Sequence, residues 1–163
     1  MNSLLRLAPA VALVLALLFP SVAVAQADWR VGGKIGMSVV SGGGGSDAGF
    51  QIGPMGEVIL NKNLSVGSEF TINTQGGNPV IWLNYFKYYF AVSGSKIKPY
   101  AEAGFLLDIV TGGPYFGILF GGGANFWIAP NLYVPAELHL GPVFADPTLF
   151  DIAITTGIRY DIP

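Results

Sequence analysis

The sequence contains no cysteine, so disulfide frameworks and thiol chemistry are excluded. Charge is also scarce, because 11% of the residues are Asp, Glu, Lys or Arg whereas 52% are hydrophobic. That balance is unusual for a soluble secreted domain. The formal net charge is −2 and no basic patch is present, which argues against a nucleic-acid partner. Without cross-links, the fold must be held together by backbone hydrogen bonds and packing.

After residue 25 the chain has no apolar run long enough for a transmembrane helix. The first 25 residues resemble a secretory signal peptide, with a basic Arg6, an apolar segment at Val11–Phe19 and a small-x-small cleavage site at Ala23–Ala25. The cleavage site argues against the alternative, an N-terminal membrane anchor. We therefore expect residues 1–25 to be removed and residues 26–163 to form one domain.

The remaining sequence alternates between apolar and polar residues with a period of two, which is typical of strands with one apolar face. In the clearest case, every second residue from 132 to 140 is Leu, Val or Ala, and Glu137 and His139 lie between them. Segments rich in Gly, Pro, Asn, Asp and Ser separate the alternating stretches, as turns require. The pattern predicts eight strands, at residues 29–40, 50–60, 64–73, 79–92, 98–109, 115–128, 132–143 and 149–160.

Two glycine runs need separate interpretation. Gly121, Gly122 and Gly123 lie in the middle of the sixth predicted strand, which is apolar on both faces, and they relieve crowding or mark a bend. The run Gly42–Gly45 does not open a helix and is not followed by Gly-Lys-Ser/Thr, so it is not a phosphate-binding loop. It predicts a flexible loop over residues 41–49.

Eight such strands fit two kinds of antiparallel up-and-down barrel. In a soluble, lipid-binding periplasmic barrel the apolar faces point inward, and in a membrane barrel they point outward to lipid. Strands of about ten to twelve residues match the thickness of the hydrocarbon layer and favour the membrane form. The positions of the charged and the aromatic residues favour it too.

Charged residues on the polar faces of different strands fall at similar heights along the barrel. If they point inward, opposite charges meet in one narrow tube, where ion pairing offsets the cost of removing them from water. The predicted lumen network consists of Arg30, Lys34, Glu57, Glu69, Lys87, Glu102, Glu137, His139 and Arg159.

Aromatic residues cluster near both ends of the predicted strands, where two membrane interfaces would lie. Their amphipathic rings suit the boundary between lipid and water. The predicted aromatic girdle consists of Trp29, Trp82, Tyr100, Tyr115, Trp127, Tyr133 and Tyr160.

Three parts of the chain resemble the small outer-membrane β-barrel superfamily of the OmpX, OmpW and OmpA-barrel type. They are the signal, the stretch Lys98–Phe105 (KPYAEAGF) and the hairpin Gly121–Gly141 (GGGANFWIAPNLYVPAELHLG). The resemblance implies an eight-stranded meander in a bacterial outer membrane, with lipid and the barrel-assembly machinery as partners. Family members commonly end in an aromatic residue recognised during assembly, and here Tyr160 would take that part.

Catalysis is not expected. His139 is the only histidine, and a catalytic histidine needs a nucleophile and an orienting group within reach. Outer-membrane barrels that deacylate lipid have a serine two residues after the histidine, where this chain has Gly141. The glutamates are interpreted as ion-pair partners in preference to an acid/base or metal cluster. We therefore predict no enzyme activity, no metal and no cofactor.

The sequence predicts a structural or envelope role for a barrel with a plugged lumen. The alternative is a narrow pore or transporter for small or apolar solutes, with Leu83, Tyr85 and Tyr89 lining an apolar pocket. The short outer loops weaken an adhesin or receptor function. The oligomeric state stays open.

Overall fold

The computed structural model describes residues 28–92, 94–110 and 113–162, and within them no helix is long and apolar enough to cross a membrane. Each strand pairs antiparallel with its sequence neighbours, and β1 also pairs with β8, which closes the sheet. The predicted all-β, eight-stranded up-and-down barrel is confirmed, while the predicted signal peptide lies outside the described residues. The strands are β1 (Asp28–Gly42), β2 (Gly45–Asn61), β3 (Leu64–Asn73), β4 (Val80–Tyr89), β5 (Ile97–Val110), β6 (Gly113–Ala129), β7 (Leu132–Phe144) and β8 (Leu149–Ile162).

The apolar faces of the strands point outward. On β8, Ile154 is 66% exposed, whereas its neighbour Thr155 is 3% exposed and points into the barrel. A continuous exposed apolar surface of this kind requires an apolar environment. The alternative of a soluble barrel with its apolar faces inward is therefore wrong. We define the apolar belt as the exposed residues Val31, Ile35, Met37, Ile52, Phe70, Ile72, Phe86, Ile118, Phe120, Leu138, Leu140, Ile152, Ile154 and Ile158.

The β1–β2 hairpin differs most from the prediction. The glycine-rich segment 41–49 is not a loop, because β1 and β2 stay paired as far as Gly42 and Gly45. The turn consists of Gly43 and Gly44 alone, whose φ angles of 60° and 87° lie in the left-handed region that glycine adopts at no steric cost. The composition predicted a turn but not its length, because each of several successive glycines can adopt the backbone conformation that a turn requires.

The lumen has two layers. We call the end with the β1–β2, β3–β4, β5–β6 and β7–β8 connections the loop end, and the opposite end, with Asp28 and Ile162, the terminal end. A charged layer lies toward the terminal end. An apolar cluster lies toward the loop end and consists of Met55, Leu83, Tyr85, Leu106, Leu119 and Val143.

Inward-facing glycines make room for large side chains in the lumen. A Cβ atom on Gly67 would lie 2.3 Å from Cζ of Tyr85. On β6, a Cβ atom on Gly123 would lie 2.9 Å from the hydroxyl oxygen of Tyr100 and 2.1 Å from the carbonyl oxygen of Ala136. Crowding, as the sequence suggested for β6, therefore explains why glycine occupies these positions.

Gly67→Ala is expected to lower the free energy of unfolding by about 1–3 kcal/mol, because the Tyr85 ring must move to admit the methyl group. The matched control is Gly56→Ala on β2, where a Cβ atom meets nothing within 4 Å. That variant should be as stable as the unaltered protein or slightly more so. Urea unfolding of the refolded barrel in detergent measures both values, and equal stability of the two variants would contradict the contact.

Candidate functional site

The candidate site is the charged layer of the lumen. The structure places all nine residues of the predicted network inside the barrel, none more than 6% exposed. They meet because each lies at an inward position of its strand, and successive inward positions are two residues apart. Apart from His139, the formal charges of these nine residues balance, because Arg30, Lys34, Lys87 and Arg159 face Glu57, Glu69, Glu102 and Glu137.

Glu137 on β7 accepts four hydrogen bonds from other side chains of the lumen. Its Oε1 atom accepts hydrogen bonds from Arg159 and from the hydroxyl group of Tyr100. The same atom lies 3.4 Å from Nζ of Lys87. Its Oε2 atom accepts a hydrogen bond from Oγ1 of Thr155 at 3.1 Å. Both oxygens of this buried carboxylate are therefore satisfied.

Lys87 on β4 joins three carboxylates. Its Nζ atom lies 3.2 Å from Glu102, 3.4 Å from Glu137 and 3.6 Å from Glu57, and its side chain is fully buried. The ring centroid of Tyr100 lies 4.3 Å from the same atom, close enough for a cation–π contact. This fully buried ammonium group is stabilised by three negative charges and an aromatic face.

Arg30 on β1 extends the network toward the terminal end. Its guanidinium group lies 2.7 Å from Glu57 and 2.6 Å from Asp161, and it donates a hydrogen bond to the Tyr89 hydroxyl group. Asp161 was absent from the predicted network. The pairing of β1 with β8 sets Arg30 opposite Asp161. This pairing exists only in a closed barrel, so the sequence of either strand alone does not predict the contact.

Three further contacts complete the layer near mid-barrel. Lys34 forms a close ion pair with Glu69, whose other oxygen lies 4.0 Å from Arg159. Nε2 of His139 is in close contact with Glu102. The charged layer is therefore one connected group that spans the lumen from β1 to β8.

The group formed by Glu102, Glu137 and His139 is compact enough to hold a metal ion, with its candidate ligand atoms within 4.8 Å of one another. Lys87 contacts both carboxylates, however, so an ammonium group already supplies the positive charge that a metal ion would bring. The hydrogen bonds to Glu137 use its oxygens as well. The arrangement fits ion pairing better than metal binding.

Two members of the predicted aromatic girdle lie in the lumen instead. Tyr100 is 3% exposed and Tyr133 is 0% exposed. Their closeness to strand ends suggested an interface, but Tyr100 precedes Glu102 by two residues and therefore shares its inward face. Their hydroxyl groups bond carboxylates, Tyr100 to Glu137 and Tyr133 to Asp161. These tyrosines belong to the charged layer.

Of the other five predicted girdle residues, two face the lumen and three lie on the outer surface of the barrel. Tyr115 packs against the apolar cluster at the loop end. The ring of Trp127 lies 5.3 Å from that of buried Tyr133 at the terminal end. These two residues therefore help to close the ends of the lumen. The predicted girdle residues that are exposed on the outer surface are Trp29, Trp82 and Tyr160.

The apolar pocket considered for solute passage is filled. Leu83 and Tyr85 are members of the packed apolar cluster, and the hydroxyl group of Tyr89 donates a 2.6 Å hydrogen bond to Glu57. A cavity beside Leu83 has a volume of about 20 Å³, enough for about one water molecule. These side chains therefore pack against one another and against the charged layer in the interior.

The sequence matches no protein-family profile and no curated protein. Its fold matches that of Neisserial surface protein A with a TM-score of 0.70 and 17% identity, covering 82% of this chain and 97% of that one. The N-terminal β-barrel domain of Pseudomonas aeruginosa OprF matches with a TM-score of 0.56 and 13% identity, over 83% and 100% of the two chains. A de novo designed transmembrane β-barrel matches with a TM-score of 0.57 and 17% identity, over 83% and 95%.

Proposed function

Because the chain has the fold of the small eight-stranded outer-membrane β-barrels, we propose that it is an integral outer-membrane protein with a structural role in the envelope. The observation that carries the proposal is the combination of the apolar belt outside with a filled lumen inside. Lipid contacts the belt, and the barrel-assembly machinery is the partner during biogenesis. No chemical step is assigned to the protein.

The two layers of the lumen block different classes of solute. An ion that enters from the loop end meets the apolar cluster, where losing its water costs several kcal/mol. An apolar molecule that enters from the terminal end meets the paired charges around Lys87 and Glu137, whose bonds it cannot replace. An eight-stranded barrel is about wide enough for its own side chains. The lumen therefore supports a structural role better than a transport role.

Cell fractionation tests the proposed location. We expect the protein to sediment with outer membranes and to migrate differently on a gel when boiled and when left unboiled. The mobility shift follows from a closed backbone ladder that resists detergent until it is heated. Recovery of the protein in the soluble periplasmic fraction would overturn the proposal.

Planar bilayers test whether the lumen is closed. We expect the purified protein to insert without producing discrete conductance steps, because packed apolar side chains fill one layer of the lumen and buried ion pairs fill the other. A large general porin inserted in the same bilayers provides the positive control. Steps whose frequency rises with the amount of this protein would support the alternative, a narrow pore for small solutes.

A further inference from the structure

A cavity of about 300 Å³ opens at the terminal end of the barrel, and we call it the rim pocket. Its walls come from the β2–β3 turn, the residues just after β4, the start of β5 and Trp127 on β6. Backbone hydrogen bonds join these walls. The amide of Trp127 donates to the carbonyl oxygen of Lys96 at 3.0 Å, and the amide of Phe90 donates to that of Pro99 at 2.9 Å. The structural role proposed above makes no use of this pocket.

Two lysines line the rim pocket. Nζ of Lys98 donates a 3.0 Å hydrogen bond to the carbonyl oxygen of Lys62 and lies 4.6 Å from the ring centroid of Tyr89. An ammonium group has three donors, so Lys98 keeps donors for an anion. The side chain of Lys62 is exposed. Among residues 28–92, 94–110 and 113–162 no ion pair involves either lysine, so both can accept an anionic partner from outside the chain.

Charge is divided unevenly around the terminal end. Its carboxylates, Asp28 and Asp161, belong to β1 and β8, which meet on the opposite side of the closed sheet from β4 and β5. Asp161 already forms an ion pair with Arg30. A third lysine, Lys96, is exposed on the same side as the rim pocket. The side of the barrel end that holds the pocket is therefore positively charged.

An apolar surface leads from the rim pocket along the outside of the barrel. Phe90 lines the pocket, and the exposed rings of Tyr88 and Phe86 continue the row on the outward face of β4. The adjacent strand β5 has exposed alanines at the facing positions, because Ala101 pairs in register with Tyr88 and Ala103 with Phe86. A row of rings beside a row of methyl groups leaves a trough, which we call the β5 trough.

The rim pocket and the β5 trough together suit a molecule with an anionic head and an apolar tail. A small soluble anion would leave the trough unused, and an uncharged lipid would leave the lysines without a partner. A phosphate group suits two ammonium groups, since charge-assisted hydrogen bonds are roughly twice as strong as neutral ones. Basic pockets beside a bilayer bind anionic lipid head groups through the same attraction. The ring of Trp127 in the pocket wall fits the depth of those head groups.

We propose that the rim pocket and the β5 trough bind one anionic phospholipid, with its phosphate group on Lys62 and Lys98 and an acyl chain in the trough. The site holds this lipid on one side of the barrel, whereas the apolar belt contacts lipid on all sides. The inference deepens the proposed function, and it rests on that function for the membrane that supplies the lipid.

Two lipids with the same acyl chains test the head-group part of the site. Native mass spectrometry of the protein purified from membranes in detergent compares dioleoyl phosphatidylglycerol, which is anionic, with dioleoyl phosphatidylcholine, which is zwitterionic. We expect the anionic lipid to bind about tenfold more tightly, because it brings a net negative charge to the two lysines. Equal affinity for the two lipids would overturn the proposal. Equally tight binding of soluble glycerol phosphate, which lacks the acyl chains, would overturn it too.

Lysine variants locate the head group. Lys62→Gln and Lys98→Gln should each weaken phosphatidylglycerol binding about fivefold and change phosphatidylcholine binding by less than about twofold. The matched control Lys96→Gln removes an exposed charge from the same side of the barrel end, outside the pocket lining, and it should change the Kd by less than about twofold. Equal weakening by all three variants would show general charge attraction and overturn the site.

Alanine variants locate the acyl chain. Ala101→Leu fills the β5 trough beside Tyr88, so it should weaken the binding of both lipids about threefold. The matched control Ala136→Leu adds the same side chain at an exposed outward position of β7, which does not adjoin β4, and it should leave both affinities unchanged. Equal affinities for the Ala101→Leu variant and the unaltered protein would overturn the placement of the chain in the trough.

The boiled and unboiled gel test shows that each variant is folded, which separates the two proposals. A folded, membrane-located barrel without the preference for phosphatidylglycerol would overturn only the lipid site. A protein that is recovered in the soluble fraction and retains the preference would overturn only the envelope role.

Discussion

Glu137→Leu is expected to lower the free energy of unfolding by about 3–5 kcal/mol and to lower the heat-unfolding temperature in detergent. The substitution leaves the buried cations Arg159 and Lys87 with one carboxylate fewer, and it removes the acceptor for the Tyr100 hydroxyl group. Glu102→Leu should cost less, because Glu102 contacts Lys87 and His139 but not Arg159. The fraction of heat-resistant barrel on an unboiled gel, measured against temperature, gives both midpoints.

Two further variants identify charge pairing as the cause. Glu137→Gln keeps an acceptor for Tyr100 and Thr155 but loses the negative charge, so its stability should fall between those of the unaltered protein and Glu137→Leu. Adding Arg159→Met to Glu137→Leu removes both ions of the pair and should recover part of the loss. Additive losses from the two single variants would show that these side chains stabilise the barrel independently.

Ile154→Arg is expected to destabilise the barrel in a phospholipid bilayer by about 2–4 kcal/mol, the cost of an arginine near the membrane midplane. Ile154 is the most exposed of the large apolar residues of β8, at 66%, and lies near the middle of that strand. Reversible urea unfolding in large unilamellar vesicles measures the cost. A soluble and fully stable Ile154→Arg protein would contradict the assignment of the apolar belt to lipid.

The matched control for this substitution is Ile162→Arg at the end of the same strand. Ile162 is also exposed, at 43%, but it lies at the terminal end of the barrel, where a long side chain reaches water. Its cost should be about 0–1 kcal/mol. Equal costs at the two positions would mean that the cost of an arginine does not depend on depth, and that the apolar belt does not lie inside a membrane.

The fold could be predicted from the sequence because the inward and outward positions of a strand follow a fixed period of two. Once Glu137 and His139 are placed on one face, the whole strand is oriented, and the same reasoning orients β1, β3, β5 and β8. The girdle prediction misplaced Tyr100 and Tyr133 because it used their distance from a strand end and not this alternation. Tyr133 lies an even number of residues from Glu137, so the alternation alone would have placed it in the lumen.

The partners inside the lumen could not be predicted in the same way. The alternation predicts that Lys87 points inward. It does not predict the three carboxylate partners of Lys87, because they belong to strands that barrel closure, radius and shear bring together. The pair of Arg30 and Asp161 likewise depends on β1 meeting β8. The cavity of about 490 Å³ at the loop end depends on how far the apolar cluster fills the lumen, which is decided by packing volume and not by pattern.

The uneven placement of lysine and arginine also gives the barrel a preferred direction of entry into a bilayer. In the proposed outer-membrane orientation the loop end crosses the hydrocarbon during insertion. The sequence places no lysine or arginine there, and one proton each can neutralise its carboxylates. Lys62, Lys96 and Lys98 lie at the terminal end, where crossing would cost about 2.5–3.5 kcal/mol for each charge. Lipid phosphates can attract these lysines on the side of entry, so insertion of the proposed outer-membrane barrel costs less with the loop end leading than with the terminal end leading.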